Sequence, residues 1–258
     1  MKIFVCLKQV PDTETKIKLL PDAKGIDFTG VKWIINPYDE YAVEEAVKYK
    51  ESHAGAQVFV ISIGPKKRTA DSVRSALAMG ADEGILVDGP DYLDPNTTAH
   101  LIAEVIKKEG PAHLIFTGKM AIDDNASSVG QMAAEYLDIP HTSVVSKATY
   151  SNDVVSVERE VEGGAKEIVE LKGSALIAAT KGLNMPRYAS LPNIMKAKKK
   201  VLKEYEMATL GFGEDSQKTQ LVSFALPPEK PAVKMLSGDS KSVTSQLVTL
   251  LRDESKVL

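Results

Sequence analysis

One cysteine, one tryptophan and four histidines in 258 residues leave this chain short of the side chains that most often carry chemistry. Cys6 lies in the apolar run Ile3-Phe4-Val5-Cys6-Leu7, so an internal disulfide is excluded and a reducing compartment fits. His53, His100, His113 and His141 are scattered without metal-ligand spacing, and no second cysteine joins them. Neither a Walker-type loop, nor Gly-x-Gly-x-x-Gly, nor a Gly-x-Ser-x-Gly elbow is present, and no Ser/His/Asp set is visible. No stretch approaches the roughly 18 apolar residues that a membrane span needs. The N-terminus enters a strand-like run at once, without the regions of a signal peptide. A formal net charge of -3 gives no global reason to expect nucleic-acid binding. The expectation is a soluble, intracellular protein without membrane insertion.

What is present is enough for a large core: 43% of the residues are hydrophobic and 26% charged. Short β-branched runs over 2–7, 57–63, 84–87, 114–117, 141–146 and 174–179 read as strands. Between them, 39–51, 69–79 and 98–108 space their apolar residues three and four apart, as Ala42, Val43, Ala46 and Val47 do in the first. Apolar strands separated by amphipathic helices argue for a parallel sheet covered on both faces. The fold class is therefore α/β, a doubly wound, mostly parallel sheet of the Rossmann-like kind.

Residues 150–172 break the rhythm with two alternating runs around Gly163-Gly164, which predicts a hairpin at the edge of the sheet. Beyond Lys200 the chain turns polar, with Pro227, Pro228 and Pro231, before 242–251 offers a short helix with Leu247, Leu250 and Leu251 as its buried stripe. Three segments are expected: an α/β domain over 1–183, a connecting loop over 184–200, and an arm over 201–258 that packs on a partner.

The connecting loop is unusual. Pro186 and Pro192 restrict the residues before them, so an extended, stiffened loop is expected, handing Leu191, Ile194 and Met195 to a block of lysines. Leu191 either enters a partner's pocket or folds back on its own core.

Ligands of open parallel sheets bind beyond the carboxyl ends of the strands. Three runs lie there: Lys8-Gln9-Val10-Pro11-Asp12, Gly64-Pro65, and the stretch from Gly118 to Met132. The last is the richest, because Asp124, Asn125, Ser127 and Ser128 are good helix caps and the turn into a helix over 129–137 exposes backbone N–H groups to an anion. A phosphate is one natural guest; an acidic loop that merely caps a helix is the other reading.

Several motifs resemble one family in order. They are Asn36-Pro37-x-x-Glu40-x-Ala42-Val43-Glu44-Glu45-Ala46, Ala76-Leu77-Ala78-Met79-Gly80-Ala81-Asp82, Gly118-Lys119-x-Ala121-Ile122-Asp123-Asp124 with Gly130-Gln131-Met132, and Glu158-Arg159-Glu160-x-x-Gly163-Gly164. With Asn184-x-Pro186-Arg187-Tyr188-x-Ser190-Leu191-Pro192-Asn193-Ile194-Met195-Lys196-Ala197-Lys198-Lys199-Lys200 they are similar to the β subunits of electron transfer flavoproteins over residues 1–200.

The resemblance implies a structural AMP, contacted at Cys6, Asn36, Pro37, Tyr38, Asp39, Ile63, Gly118, Lys119, Met120, Ala121, Ile122, Asp123, Asp124, Asn125, Ala126, Ser127, Ser128 and Val129. It implies one redox FAD per heterodimer, held mainly by an α subunit, and electron donors of the acyl-CoA dehydrogenase class with a quinone reductase as acceptor. Leu191 takes the place of the family's docking leucine, flanked by Pro192, Ile194, Met195, Lys196 and Lys199, and Glu160 that of an acidic residue paired with an arginine of the α subunit. Two positions depart from the pattern: Ser127-Ser128-Val129 replaces Asn-Gln-Thr, and Thr13 replaces a tyrosine that approaches the flavin, which leaves Tyr38 as the aromatic candidate near its ring. No catalytic residue or metal site is expected, since in a carrier the flavin holds the chemistry. Two alternatives keep the fold: an electron-bifurcating subunit with a second FAD in place of AMP, disfavoured by Asp123-Asp124 and Gly130-Gln131-Met132, and a stand-alone adenine-nucleotide sensor of the universal-stress type.

Overall fold

A computed structural model of the chain describes residues 1–151, 153–230 and 232–258, and of Glu214 its backbone only. Asn152, in the predicted hairpin segment, and Pro231, in the proline-bearing tail, lie outside the described residues. The described chain divides into two compact units, residues 1–18 with 27–222 and residues 19–26 with 223–258.

The first unit contains strands β1 (Lys2–Cys6), β2 (Gln9–Pro11), β3 (Trp33–Ile35), β4 (Gln57–Gly64), β5 (Glu83–Asp88), β6 (Leu114–Gly118), β7 (His141–Ser151), β8 (Val154–Glu160), β9 (Lys166–Lys172), β10 (Ala175–Ala179) and β11 (Lys203–Glu206). Its helices are α1 (Pro37–Ser52), α2 (Lys66–Met79), α3 (Pro95–Glu109), α4 (Val129–Leu137) and α5 (Leu191–Lys199). Nine strands form one sheet in the order β11-β5-β4-β1-β6-β10-β7-β8-β9, parallel from β11 to β7 and antiparallel through β8 and β9.

Each central strand is buried on two sides, which is why it reads as a continuous apolar run. Ile3 and Val5 of β1 enter the core built with α1 and α2, while Phe4 and Cys6 enter the core built with α3 and α4. The doubly wound sheet is as expected, and the reversal of strand order falls at β1, between β4 and β6. That crevice, beyond the carboxyl ends of β1 and β6, is where such sheets place ligands.

Five features differ from what the sequence led us to expect. β7 runs on to Ser151 and pairs with β8, so the expected hairpin is the outer part of a three-stranded antiparallel extension. A two-stranded ladder, Gln9↔Ile35 to Pro11↔Trp33, follows β1 and was not anticipated, because each strand is three residues long.

The second half of the expected loop is a helix. Ser190 caps α5, its hydroxyl accepting from Asn193 N, and Pro192 sits in the first turn, where its missing N–H costs nothing. Proline there starts a helix where an extended loop was expected.

The arm does not leave the domain at 201 either. β11 pairs in parallel with β5 from Lys203↔Ile85 to Glu206↔Asp88, and Leu202, Leu210 and Phe212 are buried. Buried Asp94, which caps α3, also accepts from Thr219 N at 2.9 Å. The boundary between the units falls after Val222.

The second unit is built around a bridge between Leu19 and Ile26 and a backbone hydrogen bond from Phe224 N to Ala23 O of 2.8 Å. Its helix α6 (Ser240–Thr249) is capped by Asp239, whose carboxylate accepts from Ser242 N at 2.7 Å, and one π-helical turn continues it over 250–254. The leucine stripe expected to be buried is only partly so: Leu247 is 46% exposed, while Leu250 and Leu251 are half-buried.

Candidate functional site

Asn36 and Asp39 stand at the start of α1, and both are buried. Pro37 starts the helix with a preset φ, and Asp39 places a carboxylate in its first turn, where the helix dipole favours it. That carboxylate reaches across the switch point. Its two oxygens accept Lys8 N, just after β1, at 2.7 Å and Gly118 N, the last residue of β6, at 2.9 Å. Burial pushes the Asp39 carboxyl up to about 7, against the pull of the Lys8, Asn36 and Gly118 hydrogen bonds.

Gly118 is glycine because of this clamp. A β-carbon there would lie 2.4 Å from Asp39 Oδ1 and 2.7 Å from the β-carbon of Tyr38. The ring of Tyr38 in turn receives the Lys119 ammonium 4.9 Å from its centroid.

Asn36 holds the loop that follows. Its amide donates to Met120 O at 2.9 Å and accepts from Ile122 N at 3.2 Å. Lys8 covers the acidic pair beyond, with its ammonium 2.9 Å from Asp123 and 2.8 Å from Asp124. Burial lowers the Lys8 ammonium, but the two aspartates outweigh it and hold it above its ordinary value. The repulsion that Asp123 and Asp124 would offer an anion is thus partly offset by Lys8.

From Asp124 the chain turns sharply. Asn125 and Ser127 adopt left-handed φ of 53° and 49°, and Asp124 accepts from Ala126 N at 3.0 Å. Such residues tolerate this region because short polar side chains bond locally. Ser128 then opens α4 without a side-chain capping bond, and the first intrahelical donor is Met132 N, 2.9 Å from Ser128 O. The N–H groups of Val129, Gly130 and Gln131 point out of the helix end, ready for an anion. Beneath them Thr117 Oγ1 is buried without a hydrogen-bond partner, and a β-carbon on Gly130 would lie 2.9 Å from it.

Cys6 and Ile63, at the carboxyl ends of β1 and β4, pack on the α3 and α4 side of the same crevice. Burial foremost, and then the Asp39 charge, pushes the Cys6 thiol far up, so it is an inert wall. The expected positions at Cys6, 36–39, Ile63 and 118–129 therefore converge on one switch point. Two contributors escaped the sequence reading. Lys8 lies in the run that follows β1, but its aspartate partners are more than a hundred residues away in sequence; Thr117 has the composition of an ordinary strand residue.

The expected docking residues form a second group. Leu191 is 72% exposed and Met195 52%, and Pro192, Lys196 and Lys199 are exposed beside them on α5. Ile194 is half-buried against the core, and Ala197 is buried. The two readings of Leu191 thus divide: Ile194 folds back, and Leu191 stands free. Glu160 is apart from both groups, exposed at the end of β8 opposite Lys166.

Strand order, reversal at β1 and an anion-ready turn at that reversal are the features of a Rossmann-like, doubly wound α/β protein. Residues 25–210 match the model of the electron transfer flavoprotein domain. Over the whole length of both chains, the sequence is 39% identical to the electron transfer flavoprotein subunit beta of Bacillus subtilis and 40% identical to that of Bradyrhizobium diazoefficiens. It is 40% identical to subunit beta of Sus scrofa over all of this chain and 99% of that one. The chain belongs to the electron transfer flavoprotein family, on its beta-subunit branch. A beta subunit implies an alpha subunit as its partner. Among the described residues no helix is long and apolar enough to cross a membrane.

Proposed function

We propose that this chain is the electron-carrier β subunit of a heterodimer that takes electrons from dehydrogenases of the acyl-CoA class and passes them to a quinone reductase. AMP is its structural nucleotide, bound at the switch point. One FAD per heterodimer, held mainly by the α subunit, supplies the redox chemistry when bound.

The observation that carries the nucleotide reading is the open start of α4. Three N–H groups without intrahelical partners stand above a buried, unpaired Thr117 hydroxyl, while Lys8 screens both aspartates. This donor set fits a phosphate, and it compensates for Val129, which lacks the hydroxyl expected at its position. Asn36 and Asp39 fix the loop, Gly118 and Gly130 allow close approach of backbone, and Cys6 and Ile63 wall the site. The chain's own part in electron transfer is positional: it orients the loop and Tyr38 and presents Leu191, Met195 and the lysines of α5 to a donor.

The second unit supports assembly with an α subunit. Leu226, Val233, Met235 and Leu247 are exposed apolar residues, more than a free surface segment of this length needs. Glu160, exposed on β8, is available for a cation of that subunit. A cytoplasmic or mitochondrial-matrix location fits this role.

Coexpression with the α partner followed by acid release of bound nucleotide tests the reading. One AMP and one flavin per heterodimer is the expected result. Two flavins and no AMP would establish the bifurcating alternative, and a stable, nucleotide-loaded chain that ignores the α subunit would establish the sensor.

A further inference from the structure

The segment leading to Leu191 contains no regular structure from 180 to 190, yet it is tied to one helix by an unusual density of polar contacts. Arg187 is the centre. Its backbone N–H and its Nε donate to Glu44 Oε2 at 3.1 and 2.8 Å, and one terminal nitrogen donates to Glu44 Oε1 at 3.0 Å. Both terminal nitrogens also reach Glu51, at 2.5 and 3.0 Å. A planar guanidinium has five N–H donors in a fixed fork, and here two carboxylates about two turns apart on α1 take up that fork.

Three residues earlier, Asn184 donates through one amide nitrogen to Tyr41 O and to Glu45 Oε2, each at 2.9 Å. Glu45 is fixed in turn by the Tyr150 hydroxyl, 2.9 Å from its other oxygen. Glu44 and Glu45 are both 4% exposed. Buried carboxylates are retained at a cost unless paired, and these two lie in the middle of a helix whose neighbouring inward residues are Ala42, Val43, Ala46 and Val47. Helix packing alone would be served by apolar residues. What the pair adds is a fixed seat for the segment from Asn184 to Arg187.

We infer that Arg187, held between Glu44 and Glu51, is a positioning residue for docking of the electron donor: it presets the backbone from which Leu191 projects, so the exposed leucine meets its pocket already ordered. This rests on the docking reading of Leu191. Ordering in advance raises affinity by removing conformational cost at the moment of binding.

The test uses the coexpressed heterodimer with an acyl-CoA dehydrogenase as donor, comparing Leu191→Ala, Arg187→Gln, Glu51→Gln and the double variant Leu191→Ala/Arg187→Gln. Arg187→Gln should raise the KM for the heterodimer about fivefold or more, with kcat within about twofold, consistent with the cost of ordering one or two side chains. Nucleotide and flavin content should be unchanged. Amide exchange should accelerate over 184–191 and stay as it was over 129–137. In the double variant the two effects should fall well short of multiplying, because Arg187 acts through Leu191.

Glu51→Gln, at a half-exposed position, keeps the inference testable if Arg187→Gln yields little protein, and it should give a smaller KM increase in the same direction. If Leu191→Ala raises KM while Arg187→Gln and Glu51→Gln do not, the positioning role is overturned and the docking reading stands. Fully multiplicative effects overturn it as well, and an unchanged KM for Leu191→Ala removes both.

Discussion

Replacing Asp39 by alanine removes a link between the ends of β1 and β6 that runs through a single side chain. Each carboxylate oxygen there accepts one backbone N–H, from Lys8 and from Gly118. Hydrogen bonds to the ionised carboxylate, the form that prevails above about pH 7, contribute about 1.5–3 kcal/mol each, but both donors are half-buried, so water repairs part of the loss. Taking the lower end for each gives about 3 kcal/mol of destabilisation, with local loosening of the loop over 118–128. Asp39→Asn should cost about half as much, since an amide presents one acceptor and turns a donor toward the second N–H. The pH dependence has a definite sign. The carboxyl titrates near 3.8 when unperturbed and at about 7 in the folded chain, so the folded state binds its proton more tightly. Its contribution favours folding most below about pH 4 and is lost as pH rises through about 7; the cost of Asp39→Asn should therefore shrink between pH 5 and pH 8. Urea unfolding of the heterodimer at those two pH values, with nucleotide content measured alongside, reads both effects. Asp39→Ala within about 0.5 kcal/mol of the parent, with full nucleotide content, would refute the clamp.

Two further outcomes follow from the same geometry. Leu191→Ala should weaken donor docking: 72% of the residue remains to be buried, and full burial of a leucine contributes about 1.5–3 kcal/mol. That gives about 1–2 kcal/mol, or roughly five- to thirtyfold in KM for the donor, with thermal stability nearly unchanged because the side chain is exposed now. Gly118→Ala should lower nucleotide retention and stability together, by about 1–3 kcal/mol in the latter. Its β-carbon overlaps Asp39 Oδ1 and the backbone carbonyl carbon of Tyr38, which cannot swing away. A Gly118→Ala variant with an unchanged melting midpoint and full nucleotide content would show that the approach is less tight than the geometry states.

The parallel core was legible because its strands and helices repeat one pattern. Runs such as 57–63 are apolar throughout and the helices between them carry one apolar face, so two-sided burial follows from periodicity alone. Elements defined by partners rather than by their own composition were not legible. Lys-Glu-Tyr-Glu reads as a surface segment, and it becomes β11 only because β5 offers a free edge and Leu202 a buried contact. Proline at position 192 points to an extended loop when taken alone, although after a serine cap the same residue starts a helix. At the switch point, the glycines, Asn36 and the acidic turn were visible as types. The clamp itself was not, since nothing local to Asp39 announces N–H donors 31 residues upstream and 79 residues downstream in the chain. The second group behaved likewise: Leu191 was conspicuous, whereas Arg187 looked like one more cation until Glu44 and Glu51 appeared beside it.

The 16 residues of α1 have a consequence of their own. Asn36 and Asp39 at one end grip the loop at the switch point, and Glu51 at the other grips the segment before Leu191. At about 1.5 Å per residue the helix between them is a ruler roughly 20 Å long. Side chains along its solvent face are free to vary, but its length is not. Each residue added or removed would turn the far end by about 100° and carry Glu51 away from Arg187. Loops on either side can drift in length between relatives, while this helix should keep its count.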